Sequence, residues 1–76
     1  MPYKSFKIKT EYLLKPPGSS LTTPDGFPAE WFYVSAGKWT LKADEATKFE
    51  DLDAVAILLE LESAHSDIRF KLAMMS

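Results

Sequence analysis

The chain has 76 residues and a formal net charge of −2, so we expect one small domain with a limited hydrophobic core. Hydrophobic residues make up 46% of the sequence and aromatic residues 13%, a composition that excludes a disordered chain. Cysteine is absent and His65 is the only histidine, which excludes disulfides and argues against a metal site or a cofactor. No apolar run approaches the ~20 residues of a membrane span, and the N-terminus resembles no signal peptide, so we expect a cytoplasmic protein.

Residues 3–14 alternate between apolar and polar side chains and predict a half-buried strand. We expect one face of this strand to pack on the core and the other to meet solvent. The predicted inner face carries Phe6, Ile8, Thr10, Tyr12 and Leu14, and the predicted outer face carries Ser5, Lys7, Lys9 and Glu11.

Residues 15–29 contain four prolines and predict a long loop, because proline lacks a backbone donor and fixes φ. Two strands are predicted next, at residues 30–35 and 38–42. The Ala36-Gly37 pair between them is typical of a tight β-hairpin turn.

Residues 44–47 predict a single helical turn, and residues 52–65 predict the main helix, with Asp51 as its N-cap. Residues 67–74 alternate again and predict a last strand that re-enters the same sheet. The sequence therefore predicts a single α+β domain over residues 1–76. Its mainly antiparallel four-stranded sheet packs on one helix in the C-terminal half, in the order β-loop-β-β-α-β.

The predicted helix has two apolar stripes, whereas a surface helix normally has one. We assign the stripe of Leu52, Val55, Ala56 and Leu59 to the sheet. The second stripe consists of Ala54, Ile57, Leu58 and Leu61. Three interpretations of the second stripe stay open: the chain's own loop covers it with Leu21 and Phe27, a second copy covers it in a homodimer, or another protein docks on it.

Acidic residues are concentrated in the second half of the chain. Residues 1–42 contain six lysines against three acids, whereas residues 43–76 contain eight acids against three basic residues. Such a surface repels phosphate backbones and attracts lysine and arginine, which makes nucleic-acid binding the less favoured alternative. A single-strand binder would use the lysine-bearing sheet face, with stacking on Tyr3 or Trp31. The lysines of that face are Lys4, Lys7, Lys9, Lys38 and Lys42.

No combination of residues predicts an enzyme. Nucleophilic catalysis needs a base, and His65 is expected at the C-terminus of the helix, where it interacts with the last carbonyl groups. Helix N-termini favour acids at the positions of Asp44, Glu45, Glu50, Asp51 and Asp53, and this segment lacks the spacing of a calcium loop. We therefore predict no catalytic residue and no metal ligand.

One segment resembles a known group of proteins. Trp31-Phe32-Tyr33-Val34, then Trp39-Thr40, then Ala46-Thr47-Lys48-Phe49 lead into the helix at Leu52. This order resembles small bacteriophage and prophage proteins with a tryptophan-bearing hairpin followed by a helix, and anti-CRISPR proteins are similar in size and organisation. The resemblance covers residues 31–60 and transfers no functional residue. It implies a phage-encoded inhibitor, active in the host cytoplasm, that occupies another protein's surface.

These observations favour a non-enzymatic module that binds another protein with a basic surface. A structural homodimer or assembly component is the first alternative, and a single-strand nucleic-acid binder is the second. The predicted partner-binding residues are Asp44, Glu45, Glu50, Asp53, Glu60, Ile57, Leu58 and Leu61.

Overall fold

A computed structural model describes residues 5–75 and confirms an α+β fold with one helix and a curled antiparallel sheet. The predicted elements are present, with boundaries that differ by one to three residues, and a two-residue strand before the helix was not predicted. Residues 3 and 4 of the first predicted strand lie outside the described residues. The elements are β1 (Ser5–Leu13), β2 (Ala29–Ser35), β3 (Lys38–Thr40), β4 (Phe49–Glu50), α1 (Asp51–Ala64) and β5 (Phe70–Met75), with a 3-10 turn at Ala43–Glu45.

Strand β1 lies at the centre of the sheet and has partners on both edges. β5 pairs with it over residues 5–10. β4 pairs with Ser5 and Phe6, whereas β2 pairs with β1 from Lys9 onward. Ser5 and Lys9 also pair with β5, which lies along one edge of β1. The strands β2 and β4 therefore share the opposite edge. β4 and β5 are both antiparallel to β1 and so run parallel to each other, and α1 connects them across β1.

The strict alternation predicted for β1 ends at a β-bulge. The pairing register between β1 and β2 shifts before Tyr12, and an extra residue reverses the side-chain faces beyond it. Ile8 and Thr10, ahead of the shift, are fully buried as predicted. Beyond it, Leu13 packs against the core, while Tyr12 and Leu14 are exposed. The prediction that Tyr12 and Leu14 lie on the inner face is therefore wrong.

The outer face of β1 is also less solvated than predicted. Lys7 is only 2% exposed, and its ammonium group donates a hydrogen bond to the carbonyl of Ala43 in the 3-10 turn. Lys9 forms an ion pair with Glu30 on β2 at 3.2 Å. The expectation of a fully wet face is wrong because the turn after β3 folds back over Lys7, a long-range contact that local alternation cannot reveal.

The loop and the hairpin have the predicted organisation. Residues 14–28 contain no helix or strand, and Pro16 and Pro17 are buried although the loop runs along the surface. Gly37 has φ +77°, the left-handed region that a residue with a side chain rarely adopts, which explains glycine at this hairpin turn.

The main core cluster consists of Trp31, Trp39 and Phe70, from β2, β3 and β5. The rings of Trp39 and Phe70 stack with their centroids 6.0 Å apart. Leu58 and Leu61 of α1 pack against this cluster, so the predicted second stripe is the one that faces the sheet. Our assignment of the two helix faces is therefore wrong: the faces are exchanged.

The helix start was also predicted one residue too late. Glu50, rather than Asp51, is the N-cap, and its side chain makes no capping hydrogen bond. Asp44 was expected to cap the short turn before the helix, but Lys42 is the N-cap of the turn at Ala43–Glu45, again without a side-chain hydrogen bond. The acids in the first turns of α1 and of the 3-10 turn make no capping hydrogen bonds, and their position agrees with the preference of a helix N-terminus for negative charge.

Candidate functional site

The outward face of α1 carries an apolar stripe that the domain leaves uncovered. Leu52 is 85% exposed, Leu59 is 60% exposed and Val55 is 44% exposed, and Ala56 between them is exposed as well. At about 100° per residue these four residues lie within one sector of the helix. We call Leu52, Val55, Ala56 and Leu59 the outer stripe.

Carboxylates flank the outer stripe on both sides. The helical repeat places Asp51 and Glu62 along one flank and Asp53 and Glu60 along the other. All four side chains are exposed, and α1 contains no lysine or arginine. The ion pairs found within residues 5–75 involve none of these four acids. The outward face of α1 is therefore apolar along its centre and negatively charged along both edges.

The structure brings together only part of the predicted partner-binding set. Asp53 and Glu60 flank the outer stripe, and Glu50 is exposed at the start of the helix. Asp44 and Glu45 are exposed in the 3-10 turn, where Glu45 lies 3.7 Å from the ammonium group of Lys42.

The three aliphatic members of that set lie on the inner side of the helix. Ile57, Leu58 and Leu61 are half-buried, and Leu58 and Leu61 contact the core cluster. They are poorly placed for a partner because the domain's own sheet already covers them. Leu21 and Phe27, which one of the three interpretations placed over this side, are exposed in the loop instead.

Sequence reasoning missed the outer stripe as a binding surface because the acids divide the helix into two similar apolar halves. A weak signal was nevertheless present. Ser63 follows Leu59 on the outer side, whereas Ala64 follows Leu61 on the inner side. A polar residue in the continuation of one stripe marks that stripe as the solvated one.

The residues considered for other functions are dispersed. Trp31 is buried and its indole N–H donates to the carbonyl of Leu13, so it offers no free ring face to a base. Lys7 is buried and Lys9 is paired with Glu30, which breaks up the predicted lysine-bearing face, and Tyr3 and Lys4 lie outside the described residues. His65 is at the C-terminal end of the helix, as predicted, and is half-buried.

Residues 5–75 contain no cluster of three or more histidine, aspartate or glutamate side chains suited to holding a metal ion. The one helix of this part of the chain is too short to cross a lipid bilayer. No protein-family model, curated protein or solved structure matches the chain, and the resemblance to small phage proteins therefore stays a prediction.

Proposed function

We propose that this protein is a non-enzymatic binding module that docks another protein on the outward face of α1. The observation that carries the proposal is the outer stripe, with Leu52 85% and Leu59 60% exposed between two rows of carboxylates. Isolated exposed apolar residues are ordinary, whereas a contiguous apolar strip on a regular element marks an interaction surface.

Burial of the outer stripe would contribute part of the free energy of recognition. Full burial of a leucine or valine side chain contributes about 1.5–3 kcal/mol, so covering Leu52, Val55 and Leu59 contributes several kcal/mol. A helix also holds these side chains in a fixed arrangement before binding, which reduces the ordering cost of association.

The flanking charges define the chemistry of the partner. Asp51 and Glu62 on one flank and Asp53 and Glu60 on the other favour an apolar groove or helix bordered by lysine and arginine. Residues 43–76 contain more acids than basic residues, which adds to the preference for a basic partner. An inhibitor that occupies a basic surface of its target, which the resemblance to phage proteins implies, is one function consistent with this chemistry.

A second copy of the chain is the competing occupant. In a two-fold symmetric pair, the same patch of both copies meets. Because both flanks of the outer stripe are acidic, this pairing places carboxylates of one copy beside carboxylates of the other. Like-charge contacts of this kind are costly, so we expect a monomer and a basic heterologous partner.

Two matched leucine variants test the proposal. Leu59→Gln removes an apolar group from the outer stripe, and Leu21→Gln makes the same change at a comparably exposed leucine in the loop. We expect one protein of the source organism to be retained by the wild-type chain and by Leu21→Gln, and released by Leu59→Gln. With that partner purified, Leu59→Gln should weaken binding about tenfold, the effect of a moderate interface residue.

The dependence of binding on ionic strength and the molar mass in solution distinguish a basic partner from a second copy of the chain. Binding to a basic partner should weaken as ionic strength rises. Undiminished binding by Leu59→Gln, or equal loss with Leu21→Gln, would contradict the proposal. A wild-type dimer in light scattering that Leu59→Gln converts to a folded monomer would assign the outer stripe to a second copy.

A further inference from the structure

We infer that a cleft at the C-terminal end of α1 is a binding site for an alkylguanidinium group, such as an arginine side chain. The cleft encloses about 280 Å³ between the helix end, the β2–β3 hairpin and the loop. The residues that define its chemistry are Tyr33, Trp39, Glu60, Ala64 and His65.

The charge of the cleft favours a cation. Glu60 contributes an exposed carboxylate that pairs with no basic side chain among residues 5–75. Ala64 and His65 contribute the C-terminal end of α1, which carries partial negative charge, and no basic residue lies in the last helical turn. The carboxylate and the partial negative charge of the helix C-terminus therefore both attract a cation into the cleft.

The aromatic lining favours a flat, delocalised cation. Tyr33 and Trp39 meet edge to face, with ring centroids 5.3 Å apart and planes at 77°. Trp39 is buried and stacked on Phe70, so the half-buried ring of Tyr33 is the aromatic surface that the cleft offers. A guanidinium group can stack on such a ring while it hydrogen-bonds to a carboxylate with its remaining donors. Arginine thus satisfies both features of the cleft with one side chain.

The size of the cleft argues for a single side chain. Pockets for drug-sized ligands begin at about 300 Å³. This cleft, at about 280 Å³, lies at the small end of that range and has room for one side chain. A second groove of similar size, also lined by Trp39, has less net negative charge because its Glu45 lies beside Lys42. Of these two spaces, the cleft at the helix end is the one that combines an aromatic lining with an acid unpaired among the described residues.

This inference deepens the proposed function and rests on it for its biological meaning, because Glu60 belongs to both surfaces. It flanks the outer stripe and also lines the cleft. A partner that covers the outer stripe on the Glu60 side is therefore placed to insert an arginine into the cleft.

The test uses a small ligand on the 76-residue chain and needs no partner. N-acetyl-arginine amide is titrated into isotope-labelled protein at low ionic strength and mildly alkaline pH, with uncharged N-acetyl-citrulline amide as the matched control. We expect saturable NMR shifts of the backbone amides of Gly18, Gly37 and Ala64, which line the cleft, with arginine amide only.

Two charge variants locate the binding. Glu60→Gln should weaken arginine amide binding by about two- to fivefold, the range for an exposed ion pair. Glu62→Gln, which lowers the net negative charge equally on the other flank, should leave it unchanged. Equal shifts with citrulline amide, or equal effects of the two variants, would overturn the inference. The outer-stripe test with Leu59→Gln is independent, so either proposal can fail alone.

Discussion

The hydroxyl oxygen of Thr10 accepts a hydrogen bond from the backbone N–H of Trp31 at 3.1 Å, at the place where β1 and β2 lose register. The same hydroxyl donates to the carbonyl of Glu11 at 2.7 Å. A β-bulge leaves backbone groups without their ladder partners. Because Thr10 is fully buried, its side chain supplies a bond that water cannot.

Replacing Thr10 by valine should destabilise the fold. Valine keeps the shape of threonine but leaves the Trp31 N–H buried without an acceptor, which costs about 1–3 kcal/mol. We expect a lower midpoint in urea unfolding with an unchanged slope. Thr22→Val, at an exposed loop position, is the matched control and should be nearly neutral. Equal stability of the Thr10 and Thr22 variants would show that the bulge does not depend on this bond.

Replacing Thr23 by valine should change the free energy of unfolding in the opposite direction. Thr23 is 5% exposed, and its hydroxyl has no hydrogen-bond partner among the described residues. A buried hydroxyl without a partner carries a desolvation cost that valine removes. We expect Thr23→Val to be neutral or to stabilise the protein by about 1 kcal/mol in thermal or urea unfolding. Destabilisation comparable to that of Thr10→Val would contradict the unpaired state of this hydroxyl.

The two faces of α1 should respond differently to leucine truncation. Leu61 is half-buried against the core cluster, so Leu61→Ala should cost about 2 kcal/mol, the lower end of the range for core leucines. Leu59 lies on the outer stripe, and Leu59→Ala should change the free energy of unfolding by less than about 0.5 kcal/mol. Unfolding of both variants in urea tests the orientation of the helix directly, and the reverse order of effects would restore the face assignment made from sequence.

Apart from the two-residue strand β4, the elements of the fold were predictable because each has its own local signal. The alternation that leads to Ile8, the glycine at position 37 and the prolines of the loop are all short-range features. The bulge before Tyr12 was not predictable in this way, since it depends on how β2 aligns with β1. One inserted residue reverses every later side chain of a strand, so a correct strand assignment still produced two wrong inner residues.

Only part of the candidate site was predictable, because the orientation of the helix depends on contacts between distant parts of the chain. The sequence shows two apolar stripes separated by acids, which indicates that one of them is left over. Apart from the weak signal of Ser63, it does not indicate which one, because the choice depends on how the β4–α1 junction and the packing of Leu58 and Leu61 orient the helix. Asp53 and Glu60, which are among the partner-binding residues predicted from sequence, flank the outer stripe because they border the stripes whichever one faces out.

Lys7 is buried in the observed β1, whereas the alternating strand expected from sequence would expose it to solvent. Lys7 donates to the carbonyl of Ala43, whereas Lys38 is exposed in the short edge strand β3. Lys7→Glu places a carboxylate against a carbonyl oxygen in a site with almost no solvent access. An uncompensated buried charge costs about 3–5 kcal/mol, a large share of the stability of so small a domain.

We therefore expect Lys7→Glu to unfold at a much lower temperature in circular dichroism, or to be unfolded at room temperature. Lys38→Glu changes the net charge by the same amount at a solvated position and should remain folded, with a nearly unchanged midpoint. If both variants keep the wild-type midpoint, Lys7 points into water and the 3-10 turn at Ala43–Glu45 does not close over β1. A selective effect at Lys7 would instead show that this turn is part of the packed structure, held by one ammonium-to-carbonyl bond.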